Sequence, residues 1–211
     1  MRKLIIALWF MAPVALYAYH MGPGQELLNT DDAAALIESA GSHARAAEEL
    51  AATEGDAAAR PEWAAAEADY AAALTLLPAE QVAETRRLRL ERAKAQMFIS
   101  QLPTANSSLA SLVQELRAGA ETGDKTHTTL LADAQSAYAS SQYYMTWLMR
   151  LEGAPREEWE PRIESARQTF KQLAGDASGA ARQEAQEDLE SAIRLARMDL
   201  TELQGLPLPS Q

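Results

Sequence analysis

The chain has 211 residues, is 47% hydrophobic but only 6% aromatic, carries a formal charge of -11 and contains no cysteine. Lack of cysteine excludes disulfides, thiolate metal sites, cysteine nucleophiles and lipid-modified cysteine. A surface this acidic disfavours nucleic acid and anionic lipid as partners and favours solubility.

Much of the hydrophobic share is alanine, the best helix former, and β-branched runs are nearly absent, so an all-α chain is expected. Arg2 and Lys3 precede an apolar run from Leu4 to Met21, interrupted only by Pro13 and His20. As a helix this run is about 27 Å long, just enough for a bilayer core. Tyr17 and Tyr19 suit the headgroup zone, and the two cations should stay on the cytoplasmic side, leaving the rest of the chain exported. Residues 1–22 therefore read as an uncleaved signal anchor. A cleaved signal and secretion, or a buried helix of a cytosolic protein, are the alternatives. "GPGQ" reads as a hinge, and 23–30 as a linker.

Residues 31–205 form the expected helical domain. "NTDD" supplies caps and early acids for a helix over 31–53. "EGDAAARP" is a break, and helices are predicted over 62–77, 79–101, 104–118, 128–152, 156–174 and 178–203. "GAETGDKTHT" is the longest polar break. Residues 206–211 form a proline-rich tail that cannot continue a helix. Short connections imply antiparallel neighbours, either as an open stack of hairpins or as a closed bundle.

In "PEWAAAEADYAAALTLLP" the residues Ala66, Tyr70, Ala73 and Pro78 follow at intervals of four, three and five. The first two intervals step along one helix face. A small residue admits a neighbouring helix, an aromatic fills the next turn, a second small residue repeats the approach, and proline stops the helix. This resembles the second helix of a tetratricopeptide (TPR) repeat. The preceding helix lacks the tryptophan and tyrosine usual in the family. A second copy resembles it through Ala93, Ala105, Leu109 and Leu112, and a third through Ala166, Phe170 and Leu173. The copies are spaced further apart than the family's period of about 34 residues, so the resemblance over 31–174 is degenerate. It implies hairpins stacked as a short superhelix that recognises a protein or peptide.

Chemistry-bearing patterns are sparse. His20, His43 and His127 fit no metal-ligand spacing, Asp124–His127 falls in a predicted loop, and no phosphate-cradling glycine loop or Gly-x-Ser-x-Gly is present. Acidic pairs such as Glu48–Glu49 and Glu157–Glu158 suit exposed helix faces. No catalytic residue, cofactor or metal is expected. Two features suggest partner binding. Arg86, Arg89 and Arg92 form a basic stripe flanked by Arg87 and Lys94. The resemblance places such a stripe on the concave surface, where basic residues of some family members hold a peptide's C-terminal carboxylate, and Arg forks match carboxylate geometry. The plainer reading pairs these arginines with acids such as Glu84 and Glu91 on neighbouring turns. In "YASSQYYMTWLMRLEG", Tyr138, Met145, Leu148 and Leu151 share one face, Tyr144 and Trp147 widen it, and Tyr143 lies further round. So wide an arc means a helix covered on two sides or a partner groove, with Tyr143, Tyr144 and Trp147 as anchors.

The sequence thus predicts a non-enzymatic, membrane-associated scaffold or peptide-binding module of the cell envelope, with its domain periplasmic or otherwise extracytoplasmic. A structural bundle that homo-oligomerises is one alternative, and a helical metal protein or enzyme another.

Overall fold

The computed structural model describes residues 23–119, 124–199 and 202–203, with side chains from residue 28 onward. The apolar run over 4–21, expected to be the anchor, and the tail over 206–211 lie outside the described residues. Among the described residues no helix is long and apolar enough to cross a membrane.

All secondary structure among the described residues is helical: α1 (Pro23–Thr53), α2 (Asp56–Leu76), α3 (Val82–Phe98), α4 (Leu102–Ala118), α5 (Lys125–Leu151), α6 (Arg156–Asp176) and α7 (Gly179–Arg197). Three boundaries correct the sequence reading. Helix α1 begins at Pro23, so the expected linker over 23–30 is its first turns. Proline suits a helix's first position, where its missing N–H has no partner to lose. Only Glu54 and Gly55 interrupt the chain before α2, and Gly55 turns it at φ 91°. Asp124 caps α5 by accepting from the N–H groups of Thr126 (2.9 Å) and His127 (3.3 Å), which starts that helix earlier than its apolar pattern does.

The chain divides into two compact units, residues 1–88 and 89–211. In the first, α1 packs along α2. The buried alanines of α1 are Ala33, Ala40 and Ala47, and those of α2 are Ala59, Ala66 and Ala73. Both sets repeat every seventh residue, the period that keeps one seam facing a partner helix. Residues this small let the axes approach to the short end of the usual range of about 8–10 Å. Trp63 and Tyr70 supply the bulk between them. His43 Nδ1 meets Glu62 Oε2 at 2.6 Å across the pair.

In the second unit, α5 packs against α4, α6 and, more lightly, α7, while α6 packs against α7. Helix α5 serves two cores in succession. Its Ala134 and Ala137 join Leu90, Ala93, Leu109, Leu112, Val113 and Leu116. Its Ala139 and Tyr143 join Trp159, Ile163, Ala166, Phe170, Ala192, Leu195 and Leu203. Interleaved with the α5 members of the second core are the buried polar residues Ser140, Ser141, Gln142 and Thr146. Asn106 Nδ2 donates to Ser141 Oγ at 2.8 Å, which donates in turn to the Tyr138 carbonyl at 2.7 Å, and Thr146 Oγ1 donates to the Gln142 carbonyl at 2.8 Å. Hydrogen bonding of this kind makes the buried hydroxyls tolerable, whereas Gln142 Oε1 is buried without a hydrogen-bond partner among the described residues. The wide arc of α5 is therefore that of a helix covered on more than one side.

Candidate functional site

The basic stripe of α3 is engaged with acids of its own chain. Arg87 grips Glu84 with both Nη2 (2.5 Å) and Nε (3.1 Å), and Lys94 Nζ lies 3.1 Å from Glu91 Oε1. Glu84 and Glu91 are the two acids that the plainer reading named. The Arg87 hydrogen bond holds the Glu84 carboxyl below its ordinary value, against the partial burial that raises it. Arg89 reaches out of its helix to Glu115 of α4, 2.6 Å away, and ties α3 to α4 within the second unit. Arg86 and Arg92 make interactions of their own. The stripe is largely neutralised, and such half-exposed pairs contribute about 0–1 kcal/mol each.

The aromatic anchors separate. Tyr143 is 0% exposed and belongs to the core, so it is corrected from a contact residue to a packing residue. The reason is its angular position: it points between α6 and α7, into the cluster of Phe170 and Leu195. Burial pushes its phenol above the ordinary value, and the charge of Asp188, itself buried, adds to the shift while Arg194 opposes it. Tyr144 stands edge-on to Tyr143, with ring centres 5.8 Å apart. Tyr144 and Trp147 are half-buried against the same core, and Trp147 Nε1 points at the Leu203 carbonyl at 3.5 Å.

The residue that sequence reading missed on this helix is Arg150. It is buried, donates to the carbonyls of Leu195 and Met198, and stacks over Trp159 at 4.8 Å. Those carbonyls end α7 and lack helical partners, so Arg150 caps one helix from the last turn of another. Desolvation lowers its pKa and the charge of Asp199 partly restores it. The visible signal was a cation in the last turn of an apolar helix. Its partner, 45 residues on, was not visible.

The histidines described are likewise structural. His127 Nε2 lies 3.0 Å from the Leu116 carbonyl, in the last turn of α4. His20 lies outside the described residues. Among the described residues no group of three or more acidic or histidine side chains could hold a metal ion.

An open cleft of about 510 Å³ lies between α4 and α6, lined by Arg117, Ser165, Gln168, Thr169, Lys171 and Gln172. None of these residues was singled out from sequence. Ser165, Gln168, Thr169 and Gln172 recur at the spacing of one helix face, and α6 presents them as a stripe without charge. Thr169 Oγ1 donates to the Ser165 carbonyl at 3.1 Å, and Gln168 Nε2 to Glu164 Oε1 at 2.7 Å. Arg117 and Lys171 make no hydrogen bond or ion pair with a described residue. No protein-family model, curated protein or solved structure matches this chain.

Proposed function

We propose that the chain is a non-catalytic binding scaffold of the cell envelope. In this reading residues 4–21 hold it at a membrane, the helical domain lies on the exported side, and TPR-like stacked hairpins recognise a protein or peptide segment. One observation carries it: the faces on which the resemblance rests point inward. Ala66, Tyr70 and Ala73 are buried, as are Ala93, Ala105, Leu109 and Leu112, and Ala166 and Phe170, with Leu173 half-buried against the same core. Within each unit the helices that pack most extensively are sequence neighbours, as in stacks where each hairpin touches only the next. Such stacks leave outer helix faces open for partners.

The test has two arms. Membranes carrying the full chain are washed at high pH, and the chain should stay with the lipid while a version beginning at Gly22 is released. Release of both removes the anchor from the proposal. Displayed random peptides are then selected on the full chain in nanodiscs, with sequence-specific, saturable enrichment expected. A second reading, a self-associating structural bundle, draws on Leu148 (42% exposed) and Leu151 (41% exposed), an apolar pair one turn apart on α5. No peptide enrichment, together with a stable oligomer dissolved by Leu148→Asp/Leu151→Asp, would replace the first reading by the second.

A further inference from the structure

We infer that the cleft between α4 and α6 is a docking groove for a peptide segment with one or two acidic residues. A peptide carboxylate sits between Arg117 and Lys171, and the peptide backbone lies along the neutral stripe of α6. The inference rests on the reading of the chain as a binding module and assigns that module a site and a ligand class.

Charge supplies the first argument. Arg87, Arg89, Lys94, Arg156, Arg167 and Arg194 each hold a carboxylate of their own chain. Arg117 and Lys171 hold none among the described residues; other cations such as Arg60 and Arg182 hold none either, but these two line one depression. A guanidinium fork and an ammonium in one depression suit an incoming carboxylate. Glu164, the acid that Gln168 of the cleft touches, is already held by Arg167 at 2.7 Å and by the Gln168 amide.

The second argument is the composition of the stripe. Elsewhere the outer surface of α6 is laced with ion pairs, Arg156–Glu160 and Glu164–Arg167. Facing the cleft it offers, beside Lys171, hydroxyls and amides, groups that can both donate and accept. An extended peptide backbone presents alternating N–H and C=O groups that need both kinds of partner. The net charge of -11 sets the upper limit on ligand charge: a polyanion is repelled by the whole chain, whereas one or two carboxylates gain from the local cations.

The test uses the full chain in phosphatidylcholine nanodiscs and fluorescein-labelled decapeptides of serine and alanine carrying two central glutamates or two central glutamines. By fluorescence anisotropy the glutamate peptide should bind about 10-fold more tightly than the glutamine peptide. Arg117→Glu/Lys171→Glu should remove that difference, Arg117→Gln/Lys171→Gln should shrink it, and Arg87→Glu/Lys94→Glu on α3 should leave it intact. Both cleft residues are exposed, so the variants should keep their helical circular dichroism. Equal binding of the two peptides, or a difference that survives charge reversal, overturns the inference. So does inorganic phosphate competing as well as peptide, which would make the cleft a small-anion site. If selected peptides bind the chain but ignore the cleft variants, the binding-module reading stands and the cleft assignment falls. If no peptide binds anywhere, both fall.

Discussion

Helix α2 of the first unit buries Ala59, Trp63, Ala66, Tyr70 and Ala73, and helix α6 of the second buries Trp159, Ile163, Ala166, Phe170 and Ala174. The first four of each set run in register before Ala73 and Ala174 fall one residue out of step, and each helix carries a proline at its sixth position, Pro61 and Pro161. A proline there removes one backbone hydrogen bond and crowds the carbonyl a turn earlier, a cost of up to about 3 kcal/mol deep in a helix. Both helices continue through it because the face that follows is fully used in packing. The outer faces differ. Helix α2 shows alanines and acids, with Glu62 bound to His43 of α1, whereas α6 shows a neutral polar stripe with Lys171 beside it. One inner frame thus supports two surfaces, which separates what holds the helices from what they offer outside.

The largest effects should come from the shared frame. Phe170→Ala removes a fully buried ring from a dense cluster and should cost about 3–5 kcal/mol. Tyr70→Ala should cost somewhat less, because Tyr70 is 6% exposed and faces an alanine seam that can close in. Since the chain has two units, a single midpoint would mix them, and hydrogen exchange followed by mass spectrometry is the better measurement. Faster exchange confined to α1 and α2 for Tyr70→Ala, and to α5–α7 for Phe170→Ala, is expected. Equal loosening of both units by either variant would break the comparison.

Next comes Arg150, which has no counterpart in the first unit. Arg150→Met keeps the stem and removes the donors, leaving two carbonyls at the end of α7 unsatisfied and Trp159 unstacked. Hydrogen bonds from a charged group contribute about 1.5–3 kcal/mol, so the loss should be of that order and local to residues 195–203. Unchanged exchange in that segment would show that the cap is dispensable.

Tyr143 gives a pH test of the second core. Its folded value is raised above the unfolded value of about 10. The stability that comes from keeping the phenol neutral is therefore complete below about pH 10 and is lost as pH rises through the raised folded value. Absorbance titration near 295 nm should show a tyrosine that ionises late or only with unfolding, and Tyr143→Phe should remove that step alone. A full complement of tyrosines titrating in the native state near the ordinary value would contradict the burial of this ring.

What was legible in the sequence follows from the range of the interaction. The helices and their inward faces rest on spacing of three and four residues, so the amino-acid pattern alone places Ala66, Tyr70, Ala105, Leu109, Ala166 and Phe170 on buried faces, where they lie. The pairs Arg87–Glu84 and Lys94–Glu91 were readable for the same reason. Arg150 was not, because its acceptors come from another helix. Tyr143 was misjudged because a wide apolar arc does not say which neighbour covers which residue. The cleft was invisible because Arg117 and the α6 stripe are brought together only by their packing on α5.

The last comparison is of two helix-joining turns. Gly55 links α1 to α2 at φ 91°, and Ser100 links α3 to α4 at φ 66°. Gly55, with ψ 170°, stands in an extended positive-φ conformation that is essentially glycine's alone, where a side chain costs about 1–3 kcal/mol, whereas Ser100 carries a side chain at positive φ. A Cβ at Gly55 would meet nothing within 4 Å, so Gly55→Ala probes backbone strain alone and should lower the stability of the first unit by about 1–3 kcal/mol. Ser100→Gly should act in the opposite direction in the second unit and by less, relieving a positive φ at a cost of roughly 1 kcal/mol, offset in part by the extra freedom glycine gives the unfolded chain. Denaturant midpoints read from exchange of each unit measure both. Opposite signs would mean that positive φ limits both turns, at Gly55 by admitting only glycine and at Ser100 by straining the residue present. A destabilising Ser100→Gly would mean that the serine side chain contributes more to its turn than the left-handed backbone costs.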